Sequence, residues 1–205
     1  MPRVVLADAE KFSIYKTIES KVKLPIAYRT RYCDILSVPE STRLTWRLSV
    51  KTAPEKLRFI IVGFQTAKDD DQTKNPSTFD HVNLKNTCVT LNLDRYPAVD
   101  YDLSFSNQKF SRLYGDATLF GVKFFRMDEL ITHSNITPSD YKTLYHLFTF
   151  DVSKQKEQLK TSVVDIQIKA NFTEIVPANT RAFALVISDK MLLFQSDDNK
   201  MSVIY

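Results

Sequence analysis

The sequence predicts an all-β fold, an antiparallel β-sandwich carrying one short helical insertion. Three observations lead there. From Thr42 to Lys51 the chain alternates strictly, with Leu44, Trp46, Leu48 and Val50 on one side and Arg43, Thr45, Arg47, Ser49 and Lys51 on the other. That is the period of a half-buried strand. Leu57 to Phe64 (LRFIIVGF) is almost wholly apolar, as in a strand buried on both faces. Two further segments alternate cleanly: Val164, Ile166, Ile168, Ala170 and Phe172 oppose Asp165, Gln167, Lys169 and Asn171, and Thr87, Val89, Leu91 and Leu93 oppose Cys88, Thr90, Asn92 and Asp94. Many such strands with few helices between them indicate a sandwich or barrel.

In chain order, strands are expected at Arg3–Ala7, Phe12–Ile18, Pro25–Tyr32 and Arg43–Val50. Ala53-Pro54-Glu55 turns the chain into the strand Leu57–Gln65. A polar loop, Gln65–Pro76 (QTAKDDDQTKNP), then leads to Phe79-Asp80-His81 and a strand at Asn86–Leu93. Between Arg95 and His146 the period changes. Phe110, Leu113, Tyr114, Ala117 and Phe120 follow the spacing of an amphipathic helix, with Asn107 as its start and Gly121 as its end. Thr137-Pro138-Ser139-Asp140 starts a second, short helix reaching about His146. The remaining strands are Leu147–Val152, Ser162–Phe172, Phe183–Ser188, Met191–Gln195 and Ser202–Tyr205. Asp151–Thr161 is a polar excursion, and Pro177-Ala178-Asn179-Thr180 a turn. No linker, repeat or low-complexity tract divides the chain, so residues 1–205 read as one domain with its insertion at about 95–146.

Composition narrows the function. Hydrophobic residues are 43% and charged residues 25% of 205, a globular balance. Only 3 glycines occur, which disfavours glycine-rich phosphate loops. The formal charge of +4 is spread among acids without a like-charge block, so specific nucleic-acid binding is not expected. The 2 cysteines, Cys33 and Cys88, lie in strand-like runs without a CxxC and read as free thiols. No signal peptide and no membrane-spanning run is recognisable, which predicts an intracellular, reduced protein.

Catalytic and metal signatures are weak. His81, His133 and His146 share no ligand spacing. Asp69-Asp70-Asp71 lacks the alternation, glycine and terminal Glu of a calcium loop, and reads as a solvated acidic loop. There is no G-x-S-x-G elbow and no recognisable catalytic cysteine context. No cofactor or metal is expected, and no enzyme. The aromatic content stands apart, at 12% with 14 Phe and 9 Tyr. Trp46, Phe59 and Phe64 read as core. Tyr96, Tyr101, Phe105, Tyr114, Phe124, Phe125, Tyr141 and Tyr145 cluster in or beside the insertion. Three uses stay open for them: core packing, an interface centre, or a stacking platform with Arg95, Lys109, Arg112, Lys123 and Arg126 interleaved.

One run, "TWRLSV…LRFIIVGFQTAKDDDQTKNPSTFDHVNL", together with "NLDRYP" at Asn92–Pro97, "FDVSKQKEQLKTSVVDIQIKANF" at Phe150–Phe172 and "VPANTRAFALVISDK" at Val176–Lys190, resembles a known family. It is similar to the C-terminal part of the double jelly-roll major capsid proteins of Polinton/Maverick and adintovirus-like elements. The likeness runs from about Arg31 to Lys190. It implies a jelly-roll sandwich, no catalysis, and a virion location after intracellular synthesis. Two jelly rolls need about sixteen strands; this chain reads as one jelly roll with extra N-terminal strands, either a free-standing relative or a portion of a longer capsid protein.

The expected function is therefore structural: a capsid or capsid-like subunit assembling with itself and with other capsid subunits. A cyclic trimer, pentamer or hexamer is expected, with Tyr101, Phe105, Phe124 and Phe125 at the contact. The alternative is a β-sandwich binding module for a glycan or protein ligand, including a host-domesticated capsid relative.

Overall fold

The structure, a computed structural model, describes residues 5–49, 56–68, 71–125, 136–154, 164–197 and 200–204. Its elements in order are α1 (Asp8–Glu19), β1 (Leu24–Ser37), β2 (Arg43–Arg47), β3 (Lys56–Thr66), β4 (Leu84–Leu91), β5 (Asp94–Tyr96), α2 (Ser111–Phe125), α3 (Pro138–Thr143), β6 (Leu147–Asp151), β7 (Ile166–Phe172), β8 (Thr180–Asp197) and β9 (Lys200–Ile204). They fall into two compact units, residues 31–188 and residues 1–30 with 189–205.

The larger unit is the sandwich. One sheet has the order β1-β8-β3-β6; the other has the order β2-β7-β4-β5. Antiparallel pairing of β2 with β7, β3 with β6 and β4 with β5 is that of one long hairpin folded back on itself. Rolling such a hairpin distributes its pairs alternately over two sheets, which yields these two strand orders. The fold is a jelly roll.

Alternation decides what faces inward. Leu44 and Trp46 of β2, Val89 and Leu91 of β4, and Ile166, Ile168, Ala170 and Phe172 of β7 share one core with Ile60, Val62 and Phe64 of β3, Phe148 and Phe150 of β6, and Ala182, Ala184 and Val186 of β8. Phe64 meets Phe172 edge-on across the two sheets at 5.6 Å and tilts against Phe148 at 5.9 Å. The outer face of the β2-β7-β4-β5 sheet is polar, with Arg43 in register with Asn171 and Thr45 with Lys169.

Over β3 and β8 the outer face of the other sheet is apolar and covered. Phe59 and Ile187 form a second buried cluster with Phe124 of α2, and Ile61, Leu185 and Phe120 pack against it. This is why LRFIIVGF is apolar on both sides: one face lines the sandwich and the other receives a helix. Gly63 sits on that outer face. A Cβ there would lie 2.6 Å from Cδ1 of Phe79, so only glycine admits this ring.

The smaller unit holds α1 and the β8–β9 hairpin, with Leu193 opposite Ile204 and Asp197 opposite Lys200. Arg29 pairs with Asp189 at 3.4 Å. Phe12–Ile18, expected as a strand, is helical, and Val5–Ala7 is not a strand. Helix formers win over the local alternation F-S-I-Y-K-T-I. Ala9, Glu10 and Lys11 follow Asp8, the first-turn acids Asp8 and Glu10 suit the helix dipole, and the N–H groups of Glu10 and Lys11 bond the Ala7 carbonyl.

Other expectations also shift. Phe183–Ser188 and Met191–Gln195 belong to one strand, β8. The strand expected to run through Leu93 stops at Leu91, because Asn92 takes a positive φ of 54° and turns the chain into β5. The Asn92 side chain accepts from the Asp165 N–H at 2.8 Å and its N–H donates to the Asp165 carbonyl. The first insertion helix begins at Ser111 rather than at Asn107, and Gly121 lies inside it rather than ending it. The turn at Ala53-Pro54-Glu55 and most of the Asp151–Thr161 excursion lie outside the described residues.

Candidate functional site

The segment between β5 and β6 joins the last strands of the two sheets and carries both α2 and α3. An uncovered edge strand exposes unpaired backbone groups, and this segment packs against β6. Much of it belongs to the sandwich core: Leu103, Phe105, Phe110, Leu113 and, from α3, Tyr141 are buried, and Tyr101, Tyr114 and Ala117 pack against them. The end of α2 crosses to the outer face through Phe120 and Phe124. Lys123 clamps α2 to β6 through Asp151 at 2.8 Å. Burial pushes the Asp151 carboxyl up, but bonds from Lys123 and Ser153 outweigh it and hold the group below its ordinary range.

Three hydroxyls fix the aromatic layer. Tyr101 donates to Asp116 at 2.8 Å, Tyr114 to the Ile136 carbonyl at 2.8 Å, and Tyr141 to the Leu147 carbonyl at 3.0 Å. Burial, followed by the Asp116 charge, raises the Tyr101 phenol far above its ordinary range. Tyr141 is raised likewise, chiefly by burial. The Arg112 guanidinium covers the Tyr101 ring at 5.0 Å. α3 opens as its sequence requires: Thr137 accepts from the Asp140 N–H at 3.1 Å, and Pro138 takes the first turn.

A seam closes where this segment returns to the sheet. Phe79 pairs with Tyr145, and its N–H donates to the Leu144 carbonyl at 2.9 Å. Asp80 accepts from the Thr66 N–H at 2.8 Å and from Lys68 at 2.9 Å; the Lys68 ammonium also donates to the Thr78 carbonyl and hydroxyl. His81 stacks on Phe105 at 4.8 Å and stands edge-on to His146 at 5.1 Å. Burial lowers both histidines below the ordinary imidazole value, more than Asp80 raises them.

The four residues expected at a subunit contact are thus placed differently from one another. Phe105 and Phe124 are buried within the subunit at 4% and 9% exposure, Tyr101 is half-buried, and Phe125 is 70% exposed at the end of α2. Phe125 stands edge-on to Phe124 at 5.1 Å, and Arg31 lies over the Phe124 ring at 5.9 Å. Core packing therefore accounts for most of the insertion's aromatic residues. Arg95 bonds Asp100, and Lys123 bonds Asp151, so these cations are spent on ion pairs rather than interleaved with rings. The structure brings His81 and His146 together, 65 positions apart in sequence, where no spacing could announce them. His133, Asp69 and Asp70 lie outside the described residues. Asp71 closes a local turn, accepting from the Thr73 N–H and hydroxyl. Cys33 and Cys88 are free thiols. Among the described residues no helix is long and apolar enough to cross a membrane.

The double jelly roll-like domain matches residues 1–192. The chain belongs to that family. No curated protein matches the sequence. Similar solved structures include the PBCV-1 virus capsid, at 9% identity and a TM-score of 0.40, covering 97% of this chain and 54% of that one. PBCV-1 VP54, fitted into a reconstruction of the virophage Sputnik, is 10% identical with a TM-score of 0.43, covering 98% and 55%. The mavirus major capsid protein is 10% identical with a TM-score of 0.39, covering 88% and 41%. The chain spans about half the length of the first two.

Proposed function

We propose that the chain is a structural subunit of a viral-type shell, a capsid or capsid-like protein that works by association with its own copies and not by catalysis. The observation that carries this reading is the membership of residues 1–192 in the double jelly roll-like family. The strand runs that resemble Polinton-type capsid proteins form the two sheets of a jelly roll, which supports it. A rigid sandwich of this kind offers edges and loops to neighbouring copies. β1 is an edge strand of its sheet, and Tyr32 and Ile35 on it are 44% and 54% exposed. Such edges invite pairing or cover by another chain. Of the insertion residues proposed for the contact, Phe125 is the one presented to a neighbour; Tyr101, Phe105 and Phe124 shape the surface from within.

The partners under this reading are further copies in a cyclic trimer, pentamer or hexamer, and other capsid subunits, with the virion as destination. Each contact should bury more than about 1,000 Å². Light scattering over a wide concentration range, with negative-stain images of the same samples, tests it. Closed oligomers growing in with concentration are expected. A strict monomer at every concentration and salt would sink the reading. It would favour a binding module instead, for which the polar outer face of the β2-β7-β4-β5 sheet is the natural surface: a groove of about 340 Å³ there is lined by Arg43, Asn86, Arg95 and Lys169.

A further inference from the structure

We propose that His81 and His146 form an acid-sensitive latch holding the β5–β6 insertion on the sandwich. The two rings meet at the seam between the insertion and the β3–β4 connection, His81 with its Nδ1 already accepting a hydrogen bond and His146 with its free Nε2 buried away from water.

In His81, Nδ1 accepts from the Asn83 N–H at 3.0 Å. The neutral ring therefore carries its proton on Nε2. A second proton must enter at Nδ1, where it meets the Asn83 N–H head-on. The turn that this bond secures is already strained. Val82 and Asn83 both take positive φ, 42° and 50°, a region a β-branched residue rarely adopts. The Leu84 N–H to His81 carbonyl bond, 2.9 Å, closes the same turn.

In His146, Nδ1 lies 2.8 Å from the Phe79 carbonyl. A carbonyl only accepts, so Nδ1 bears the proton and Nε2 is a bare lone pair. That Nε2 is buried without a hydrogen-bond partner, in a residue 2% exposed. A second proton would enter there. Phe105 walls the pair, stacked on His81 and edge-on to His146 at 5.3 Å.

The charged groups facing the pair do not relieve it. Asp80 favours both imidazolium forms, but its carboxylate is engaged by Lys68 and the Thr66 N–H. Lys142 of α3 opposes a charge on His81, and His81 opposes one on His146. The Phe79 and Lys142 carbonyls favour a charged His146, yet burial prevails. Tyr141, tilted against His146 at 6.2 Å, is a neutral donor to Leu147.

The sign follows from linkage. Both histidines are held below their free value when the seam is closed, and regain about 6.5 when it opens. Above that pH they are neutral in both states and the latch is at full strength. Below it the open state binds protons that the closed state refuses, so closure weakens as pH falls.

Hydrogen exchange followed by mass spectrometry, corrected for the intrinsic pH dependence, should compare about pH 7.5 with about pH 5. Amides of α3 and of residues 101–114 should exchange at least about tenfold faster at the lower pH, while β7 stays protected. The double variant H81N/H146F should lose this dependence: Asn can still accept from the Asn83 N–H, Phe keeps the packing, and neither titrates. Exchange that ignores pH in the wild type, or a dependence that persists in the folded variant, overturns the proposal. Should the variant not fold, an NMR titration of the wild-type ring protons decides. Both histidines must titrate below the free value, and a midpoint at or above about 6.5 for His146 overturns it.

Discussion

At the residue scale, the phase of each strand fixes what a substitution costs. Trp46 alternates with Leu44 and Leu48, and all three are 5% exposed in the core. Trp46→Ala should cost about 3–5 kcal/mol in a denaturant melt. As the only tryptophan, Trp46 should emit blue-shifted in the native protein; water-like emission would contradict the burial. This residue was readable because a period of two leaves no choice of face. Gly63 was not, since nothing local shows that Phe79 will lie over it. Gly63→Ala should destabilise by about 1–3 kcal/mol through overpacking, although alanine suits strands no worse than glycine. The Lys68–Asp80 pair was equally invisible, being assembled across the β3–β4 loop. It carries an asymmetry: the Lys68 side chain is 8% exposed and that of Asp80 35%. Asp80→Ala leaves a buried ammonium with only Thr78, whereas Lys68→Met leaves a carboxylate that reaches water. The Asp80 change should therefore be the more destabilising, by about 1 kcal/mol or more. Equal losses in matched melts would mean that the pair is not stabilised as described.

At the element scale, α2 shows both the reach of periodicity and its limit. Leu113, Tyr114, Ala117 and Phe120 were legible as one helical face, and the helix buries that face. Its ends were not legible. Gly121 imitates a stop signal, yet the helix continues because Phe124 finds Phe59 and Ile187 on the sheet beneath. Tertiary burial outweighs the cost of about 1 kcal/mol for a mid-helix glycine. α1 is helical for the converse reason: its aromatic and β-branched residues suit a strand, but among the described residues no strand pairs with them, and β propensity without a partner stabilises little. The neighbours Phe124 and Phe125 separate the two roles an insertion aromatic can have. Phe124→Ser should lower stability by about 3–5 kcal/mol, because the ring is 9% exposed among Phe59, Phe120 and Ile187. Phe125→Ser should leave stability within about 0.5 kcal/mol while weakening any oligomer. Melts and light scattering on the two single variants read both effects. Oligomers indifferent to Phe125→Ser would move the contact off the end of α2.

At the scale of the whole molecule, the strands were largely readable one by one, while their arrangement rested on resemblance. Nothing in a strand's own residues says that β1 lies beside β8 or β2 beside β7; that order comes from rolling the folded hairpin, a choice made by contacts distant in sequence. Surface use is less legible still, because an exposed aromatic and a buried one look alike in a sequence. α1 states the problem sharply. Within its 12 residues none is buried, and Phe12, Ile14 and Tyr15 are 79%, 42% and 64% exposed. A helix this short is marginal in water unless an apolar face is covered. Under the proposed assembly the cover would come from another copy, and the residues should then matter to the assembly and not to the subunit. Phe12→Ser with Tyr15→Ser should shift the population towards smaller species in light scattering. The thermal midpoint of the monomer, followed by Trp46 emission, should stay within about 2 °C, since exposed positions contribute little to folding. A midpoint lowered by many degrees would mean that α1 stabilises the subunit itself. An unaltered size distribution at matched concentration would remove α1 from the contact and leave the β1 edge and Phe125 as the surfaces to test.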